Sequence, residues 1–97
     1  MFLILLNYTK PLESVDRLVG EHRKFLEHHY ANGDFLLSGR KEPRTGGVIL
    51  AKAKSKAEVE RIVKEDPFSI GNVAEYTIVE FIPTMAAEDF AHLKETL

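Results

Sequence analysis

The sequence predicts an α+β fold in which strands and helices follow the order β-α-β-β-α-β. Four short segments have the apolar pattern of strands, and two segments repeat their apolar residues with the helical period of about 3.6 residues. The 97 residues suffice for one domain and not for two, because domains typically contain ~50 to 200 residues. This order is the ferredoxin-like plan, whose first and third strands are central in an antiparallel sheet. We expect one domain over residues 1–97, with a core over 1–83 and a tail over 84–97.

The first strand and the first helix have the clearest patterns. Residues 2–8 are apolar on both alternating sets, which is typical of a central strand that is covered on both faces. From Ser14 to Tyr30 the apolar residues recur every three or four positions, which predicts one long amphipathic helix. Asn32 and Gly33 end this helix, because glycine readily adopts the left-handed conformation that follows a helix C-terminus.

Two further strands are predicted over residues 35–40 and 46–53. The proline and the charges of residues 41–45 place that segment in a loop between them. The two strands are therefore expected to form a hairpin.

The second helix has a capping signal at its start. Ser55 and Glu58 form a capping box, in which each side chain binds a free backbone amide at the helix N-terminus, and the helix reaches about Lys64. Residues 66–67, an Asp-Pro pair, then begin a short helical turn that closes near residues 71–72.

The last predicted strand covers residues 73–82 and is stopped by Pro83, and residues 84–97 are predicted to form a short terminal helix. Right-handed crossovers place both main helices on one face of the sheet. The first, third and fourth strands nevertheless carry apolar residues on both faces. Because an uncovered apolar face is an interaction surface, we expect a second copy to cover it and form a homodimer.

Composition excludes several classes of function. The 13 basic and 15 acidic residues give a net charge of −2, so there is no positive excess for binding nucleic acid or an anionic membrane. The absence of cysteine excludes disulfides, thiolate nucleophiles and cysteine-bound metals. The apolar residues 1–6 fall short of the ~20 that span a membrane and lack the flanks of a signal peptide, so we expect a cytoplasmic protein.

His22 is the first candidate for chemistry. The helical period places its imidazole on or beside the apolar stripe, near Phe25 and Leu26. A buried imidazole without a hydrogen-bond partner would cost about 1–3 kcal/mol, so we expect a partner, and Asp66 after the second helix is the leading candidate. A satisfied core histidine, and an aspartate that only caps a helix, are the simpler interpretations of the same two residues.

Other polar residues give weaker signals. Arg40, Lys41 and Arg44 lie in or beside the hairpin loop, where they could clamp an anionic group or simply be solvated. The histidines of the first helix lack the i, i+4 spacing of a zinc-binding helix, so we expect no metal site. His29 is expected at the helix–sheet contact or at the dimer contact.

These positions together resemble the YciI-like family over about residues 1–83. The resemblance rests on the first strand, on His22 ahead of Phe25 and Leu26, on segments 33–39 and 47–49, and above all on residues 65–68 followed by Gly71 and Tyr76. It implies a dimeric α+β barrel in which two ferredoxin-like sheets pack face to face. It also implies an active site with a histidine–aspartate pair, whose matching positions are His22 and Asp66, and a supporting contact from Ser38.

The resemblance implies a class of reaction as well. A dehydrochlorinase-type lyase belongs to the family, and related barrels include muconolactone-isomerase-like enzymes and monooxygenases. We therefore hypothesise a small enzyme that uses no cofactor, in which His22 is the general base or acid and Asp66 orients it. The substrate would be a small cyclic or aromatic compound in a pocket that Phe25 helps to wall, in contact with Ser38, Arg40, Arg44, Phe68 and Tyr76.

Three other interpretations stay open from the residues. The chain could be a non-catalytic dimeric module that binds a small ligand or a protein, with His22 and Asp66 as a structural pair. Haem or oxygen chemistry would use His29 or His22 as an axial ligand. RNA binding on the same plan is disfavoured, because residues 48–50 are aliphatic where an RNA-binding sheet presents stacking aromatic residues.

Overall fold

A four-stranded antiparallel sheet forms one layer of the computed structural model, which describes residues 1–95. Its order is β2-β3-β1-β4, so that β1 and β3 are central, as the ferredoxin-like plan predicts. Every neighbouring pair of strands is antiparallel. The predicted α+β fold is therefore confirmed, and the strands are β1 (Phe2–Tyr8), β2 (Phe35–Arg40), β3 (Gly46–Ala51) and β4 (Ala74–Glu80).

The first helix is divided, whereas the sequence predicts one continuous helix. α1 covers Leu12–Asp16 and α2 covers Val19–Ala31. At the break, the backbone amide of Leu18 donates to the carbonyl of Val15, three residues back, at 2.9 Å. The Leu18 side chain packs against Gly71, where an added Cβ would come within 2.5 Å of Leu18 Cδ1. At the break, the apolar side chain of Leu18 thus packs against Gly71, which is distant in the sequence. The spacing of apolar residues within the helix cannot predict such a contact.

The second half of the chain follows the predicted capping signals. α3 covers Lys56–Val63, and the hydroxyl of Ser55 accepts a hydrogen bond from the backbone amide of Glu58 at 3.2 Å, which is the serine half of the predicted capping box. α4 covers Pro67–Ile70 and has Asp66 as its N-cap. The glycine that ends α2 also behaves as predicted, because Gly33 has a φ of +80°.

The core lies between the helices and one face of the sheet. Phe2, Ile4 and Leu6 of β1 all point to this face and are buried. They pack in one cluster with buried residues of the neighbouring strands and of the helices, among them Val15, Phe25, Ile49, Val59 and Phe68. Burial of this apolar surface holds the helices on the sheet.

The opposite face of the sheet is also apolar. Leu3 pairs with Leu50 on one side and with Val79 on the other, and Leu50 in turn pairs with Leu37. Leu37 retains 55% and Val79 44% of its accessible surface. Because residues directly opposite each other lie on the same face, these side chains form a continuous row that the helices do not cover.

The tail differs from the predicted terminal helix. Only Glu88–Leu93 is helical, as a 3-10 helix in which no residue is buried. A short α-helix is marginal unless packing buries its apolar side chains, and no side chain of this segment is fully buried. The tail returns to the chain start, where Glu95 pairs with the Met1 ammonium at 3.3 Å, and ahead of the tail Phe81 N–H donates to the Met1 carbonyl. The last two residues of the predicted helix, 96–97, lie outside the described residues.

Within residues 1–95, no helix has the length and apolar character needed to cross a membrane.

Candidate active site

A histidine on α2 meets an aspartate that precedes α4. His22 Nδ1 lies 2.7 Å from Asp66 Oδ1, although the two residues are 44 positions apart in the sequence. His22 projects from the first turn of α2, and Asp66 is held at the corner between α3 and α4. The structure thus brings together the two residues that the sequence put forward as a pair.

Asp66 is fully buried and accepts three hydrogen bonds. Its Oδ1 accepts from the backbone amide of Phe68 at 3.0 Å as well as from His22, and its Oδ2 accepts from the Tyr76 hydroxyl at 2.5 Å. An ionised carboxylate only accepts hydrogen bonds, so this set of donors suits the charged form. Among residues 1–95, no buried side-chain polar atom is left without a partner.

Tyr76 supports Asp66 from β4. Burial, and after it the negative charge of Asp66, raise the pKa of Tyr76 well above that of an exposed tyrosine. The phenol therefore keeps its proton and donates a hydrogen bond to the carboxylate. The sequence placed Tyr76 and Phe25 in the pocket wall, but neither residue lines the cavity; Tyr76 lies behind Asp66.

The bond to Asp66 fixes the state of the His22 ring. Because the Asp66 carboxylate accepts a hydrogen bond from His22 Nδ1, the neutral imidazole carries its proton on Nδ1 and has a lone pair on Nε2. No other residue within 1–95 hydrogen-bonds to the ring. The ring also stacks on Phe68, with centroids 3.9 Å apart and planes 8° from parallel. His22 is thus held in one orientation, while 14% of its side chain stays accessible.

His22 lines a cavity of about 640 Å³ between α2 and the sheet. Four residues expected to contact a substrate line it as well: Ser38, Arg40, Arg44 and Phe68. Further apolar and polar walls come from Leu6, Tyr8, Asp16, Val19, Arg23, Leu26 and Ile49. The volume lies within the range of pockets that bind small molecules, roughly 300–1,000 Å³.

The cavity floor depends on a glycine at the start of β3. A Cβ at Gly46 would overlap the carbonyl oxygen of Leu6, so any side chain would force β1 and β3 apart. Gly46 is buried and pairs with Asn7 in the sheet. The close approach of these strands therefore requires a residue without a side chain.

Three polar residues of the cavity lining were not singled out in the sequence: Tyr8, Asp16 and Arg23. Tyr8 shares the alternating face of Phe2, Ile4 and Leu6, and that signal could have placed it. No local signal marks Asp16, which pairs with Arg44 at 2.5 Å across 28 residues. This bond raises the pKa of Arg44 above its ordinary value, so the guanidinium stays charged.

A second histidine of α2 is buried outside this cavity. His29 is 3% exposed and packs beside Phe25 and Phe35, which confirms its expected place at the helix–sheet contact. Its Nδ1 lies 2.7 Å from Asp34 Oδ2, and its Nε2 lies 3.1 Å from Glu65 Oε1. Both ring nitrogens are thus occupied, which leaves no free lone pair for the haem-ligand role considered for His29.

Within residues 1–95, no three histidine, aspartate or glutamate side chains are arranged to hold a metal ion. The carboxylates beside His29 bind different nitrogens of the ring, so they do not converge on a common point with it. His28 is exposed and contacts Asn32. The polar groups of the cavity lining are one imidazole, two hydroxyls (Tyr8 and Ser38), three guanidinium groups and one carboxylate, and the remaining walls are mainly apolar.

Comparison with known proteins agrees with this architecture. No protein with a curated description matches the sequence. Among solved structures, 5-chloro-2-hydroxyhydroquinone dehydrochlorinase from Burkholderia phenoliruptrix, in complex with 2,5-dihydroxybenzoquinone, is similar with a TM-score of 0.68 and 19% sequence identity. The similarity covers 86% of this chain and 95% of that one, and at this identity it shows the fold. The model of the YCII-related domain matches residues 1–82, and the chain therefore belongs to that family.

Proposed function

We propose that the chain is a small enzyme that transfers a proton between His22 and a small cyclic or aromatic substrate, without a cofactor. One observation carries the proposal: His22 has its Nδ1 bound to a buried carboxylate and its ring in the lining of a cavity of about 640 Å³. Asp66 would orient the ring and stabilise the imidazolium that forms. This is the division of labour expected of a general base and its positioning carboxylate.

The reaction class that fits is proton abstraction followed by elimination or isomerisation. Nε2 of His22 would take a proton from the substrate, and the electron pair of the broken bond would form a new double bond. In an elimination, the leaving group departs with its own bonding pair. In an isomerisation, His22 returns the proton to another atom. Such general acid–base catalysis contributes roughly 10²- to 10⁴-fold to a rate.

The comparisons support the choice of trial substrates. The structurally similar dehydrochlorinase was solved with a dihydroxybenzoquinone, a small planar ring compound. In the present chain, Phe68 and Leu26 offer apolar walls for such a ring, and Ser38, whose Oγ lies 2.5 Å from the Tyr30 hydroxyl, offers a hydrogen-bonding group. Chlorinated hydroquinones and unsaturated lactones are therefore the first compounds to test.

The test compares His22→Gln and Asp66→Asn with the unchanged chain, by chloride release and by the ultraviolet spectrum of each compound. We expect both variants to lose roughly 10²-fold or more of the turnover. His28→Gln is the matched control, because this histidine lies on the same helix and is exposed. Turnover that persists in both His22→Gln and Asp66→Asn would contradict the assignment.

A second candidate function is binding without catalysis. Asp66 caps α4 and is fully buried, and the His22 ring is stacked on Phe68, so the pair also satisfies what a structural tie between α2 and α4 requires. A ligand that saturates the cavity and shifts the NMR signals of the His22 ring, but is recovered unchanged after prolonged incubation, would favour this function.

We also propose that the chain forms a homodimer through the open sheet face. The apolar row of Leu37, Leu50, Leu3 and Val79 supports this, because its ends Leu37 and Val79 are exposed and a second copy of the same face would remove them from water.

A further inference from the structure

We propose that the cavity beside His22 binds a small cyclic or aromatic carboxylate, and that Arg23 and Arg40 hold the carboxylate group at the cavity rim. The inference rests on the proposed function and deepens it, because it names the class of substrate that the same site would take.

The cavity is positively charged in a chain that is negative overall. Three arginines and one aspartate supply the fixed charges of its lining, whereas the whole chain has a net charge of −2. The aspartate, Asp16, is already bound by Arg44. The positive excess therefore lies on Arg23 and Arg40, and its field would draw an anion into the cavity.

The three arginines are not equivalent. Arg44 is fixed by its bond to Asp16 and lies over the Tyr8 ring, 5.9 Å from the ring centroid. Arg23 and Arg40 are exposed at the rim. A guanidinium group can donate two parallel hydrogen bonds to one carboxylate, which is the reason to assign these side chains to a carboxylate.

A bulge in β2 aims the binding groups into the cavity. The register shifts between Phe35 and Leu37, after which Ser38 pairs with Ile49 and Arg40 with Gly47. Ser38 and Arg40 are two residues apart, so their side chains leave the same face of the strand about 7 Å apart. That spacing is comparable to the length of a ring carboxylate. With its carboxylate at Arg40, the ring would lie toward Ser38 and the His22 imidazole.

The test uses two probes of matched size and shape, benzoate and benzamide, in calorimetric titrations of the full chain. We expect benzoate to bind about tenfold more tightly than benzamide, as one charge-assisted contact would give. Arg23→Gln and Arg40→Gln should each weaken benzoate binding several-fold and leave benzamide binding unchanged. Arg61→Gln is the control, because Arg61 is exposed on α3 and does not line the cavity.

Several results would overturn the proposal: equal affinities for the two probes, no saturable binding of benzoate, or undiminished binding by the Arg23→Gln/Arg40→Gln double variant. The same titration of His22→Gln separates this proposal from the proposed function, since the carboxylate contacts do not involve the imidazole. If that variant binds benzoate while the unchanged chain turns over no substrate, the carboxylate site stands and the catalytic assignment fails.

Discussion

Tyr76 hydrogen-bonds to the oxygen of Asp66 that His22 does not use. The Tyr76 hydroxyl lies 2.5 Å from Oδ2, whereas His22 Nδ1 lies 2.7 Å from Oδ1. Together with the Phe68 amide of α4, these bonds hold the carboxylate from three elements, and it cannot rotate without breaking one of them. A partly buried tyrosine thus orients the aspartate, and through the aspartate it orients the imidazole.

Replacing Tyr76 with phenylalanine should destabilise the fold. The change leaves Oδ2 of a fully buried carboxylate without its donor, which costs about 1–3 kcal/mol. Urea unfolding measures the effect, with Tyr30→Phe as the control, because the Tyr30 hydroxyl contacts Ser38 at the surface. A free energy of unfolding that is the same in Tyr76→Phe as in the unchanged chain would show that the bond contributes nothing to stability.

Tyr76 should also make stability fall at alkaline pH. Its pKa is raised in the folded chain, whereas the unfolded chain has the ordinary tyrosine value of about 10. The stabilisation is therefore complete below about pH 10, and it is lost as the pH rises further because the unfolded chain releases its proton first. Between about pH 9 and 11 the free energy of unfolding should fall less steeply in Tyr76→Phe. Identical slopes for the two proteins would contradict this reading.

His29 should contribute to stability without contributing to binding. It joins the end of α2 to Asp34 and to Glu65, and it does not line the cavity. His29→Leu keeps an apolar side chain between the neighbouring aromatic rings but removes both hydrogen bonds, so we expect a loss of about 1–3 kcal/mol. Chemical denaturation checks this, with the exposed His28→Leu as control. Equal losses in the two variants would refute a special role for His29.

Gly46→Ala should be destabilising, and Gly39→Ala should not. An alanine Cβ at position 46 would overlap the Leu6 carbonyl, whereas at position 39 no atom lies within 4 Å. Overpacking of this kind costs about 1–3 kcal/mol. Thermal unfolding of the two variants side by side tests the difference, and a stable Gly46→Ala protein would mean that β1 and β3 can separate at little cost.

A charge on the open sheet face should separate the proposed dimer. Leu50 lies in the middle of the apolar row, between Leu37 and Leu3, so Leu50→Lys would place a charge in the interface. Light scattering should give twice the 11.0 kDa chain mass for the unchanged protein and the mass of a single chain for the variant. Ile70→Lys is the control, because Ile70 is 74% exposed and lies on α4. A monomeric unchanged protein at micromolar concentration would rule out the dimer.

Elements whose signals lie within a few residues are predicted well. The capping of α3 by the Ser55 hydroxyl, the cap of α4 by Asp66, and the left-handed Gly33 after α2 all depend on neighbours along the chain. At the break after α1, by contrast, Leu18 contacts Gly71, which is distant in the sequence. The tail helix fails for a related reason, because its apolar residues find no buried position in the described structure.

The sequence by itself determined the order of the elements, the two apolar faces of the sheet, and the presence of a histidine on the buried stripe of α2. These properties follow from periodicity and from local hydrogen bonding, which neighbouring residues suffice to specify. It also drew attention to Asp66, but only the packing of α2 against α4 brings that carboxylate to 2.7 Å from His22.

Only the tertiary structure decided which way β2 presents its polar residues. Strict alternation from the buried Phe35 would place Leu37 on the core face, and Ser38 and Arg40 on the open face. The bulge after Phe35 inserts one residue and reverses this assignment, so that Leu37 joins the open apolar row while Ser38 and Arg40 line the cavity. The alternation of side chains along a strand does not reveal such an inserted residue. The register is set by pairing with β3, and with it the chemistry that the cavity can offer.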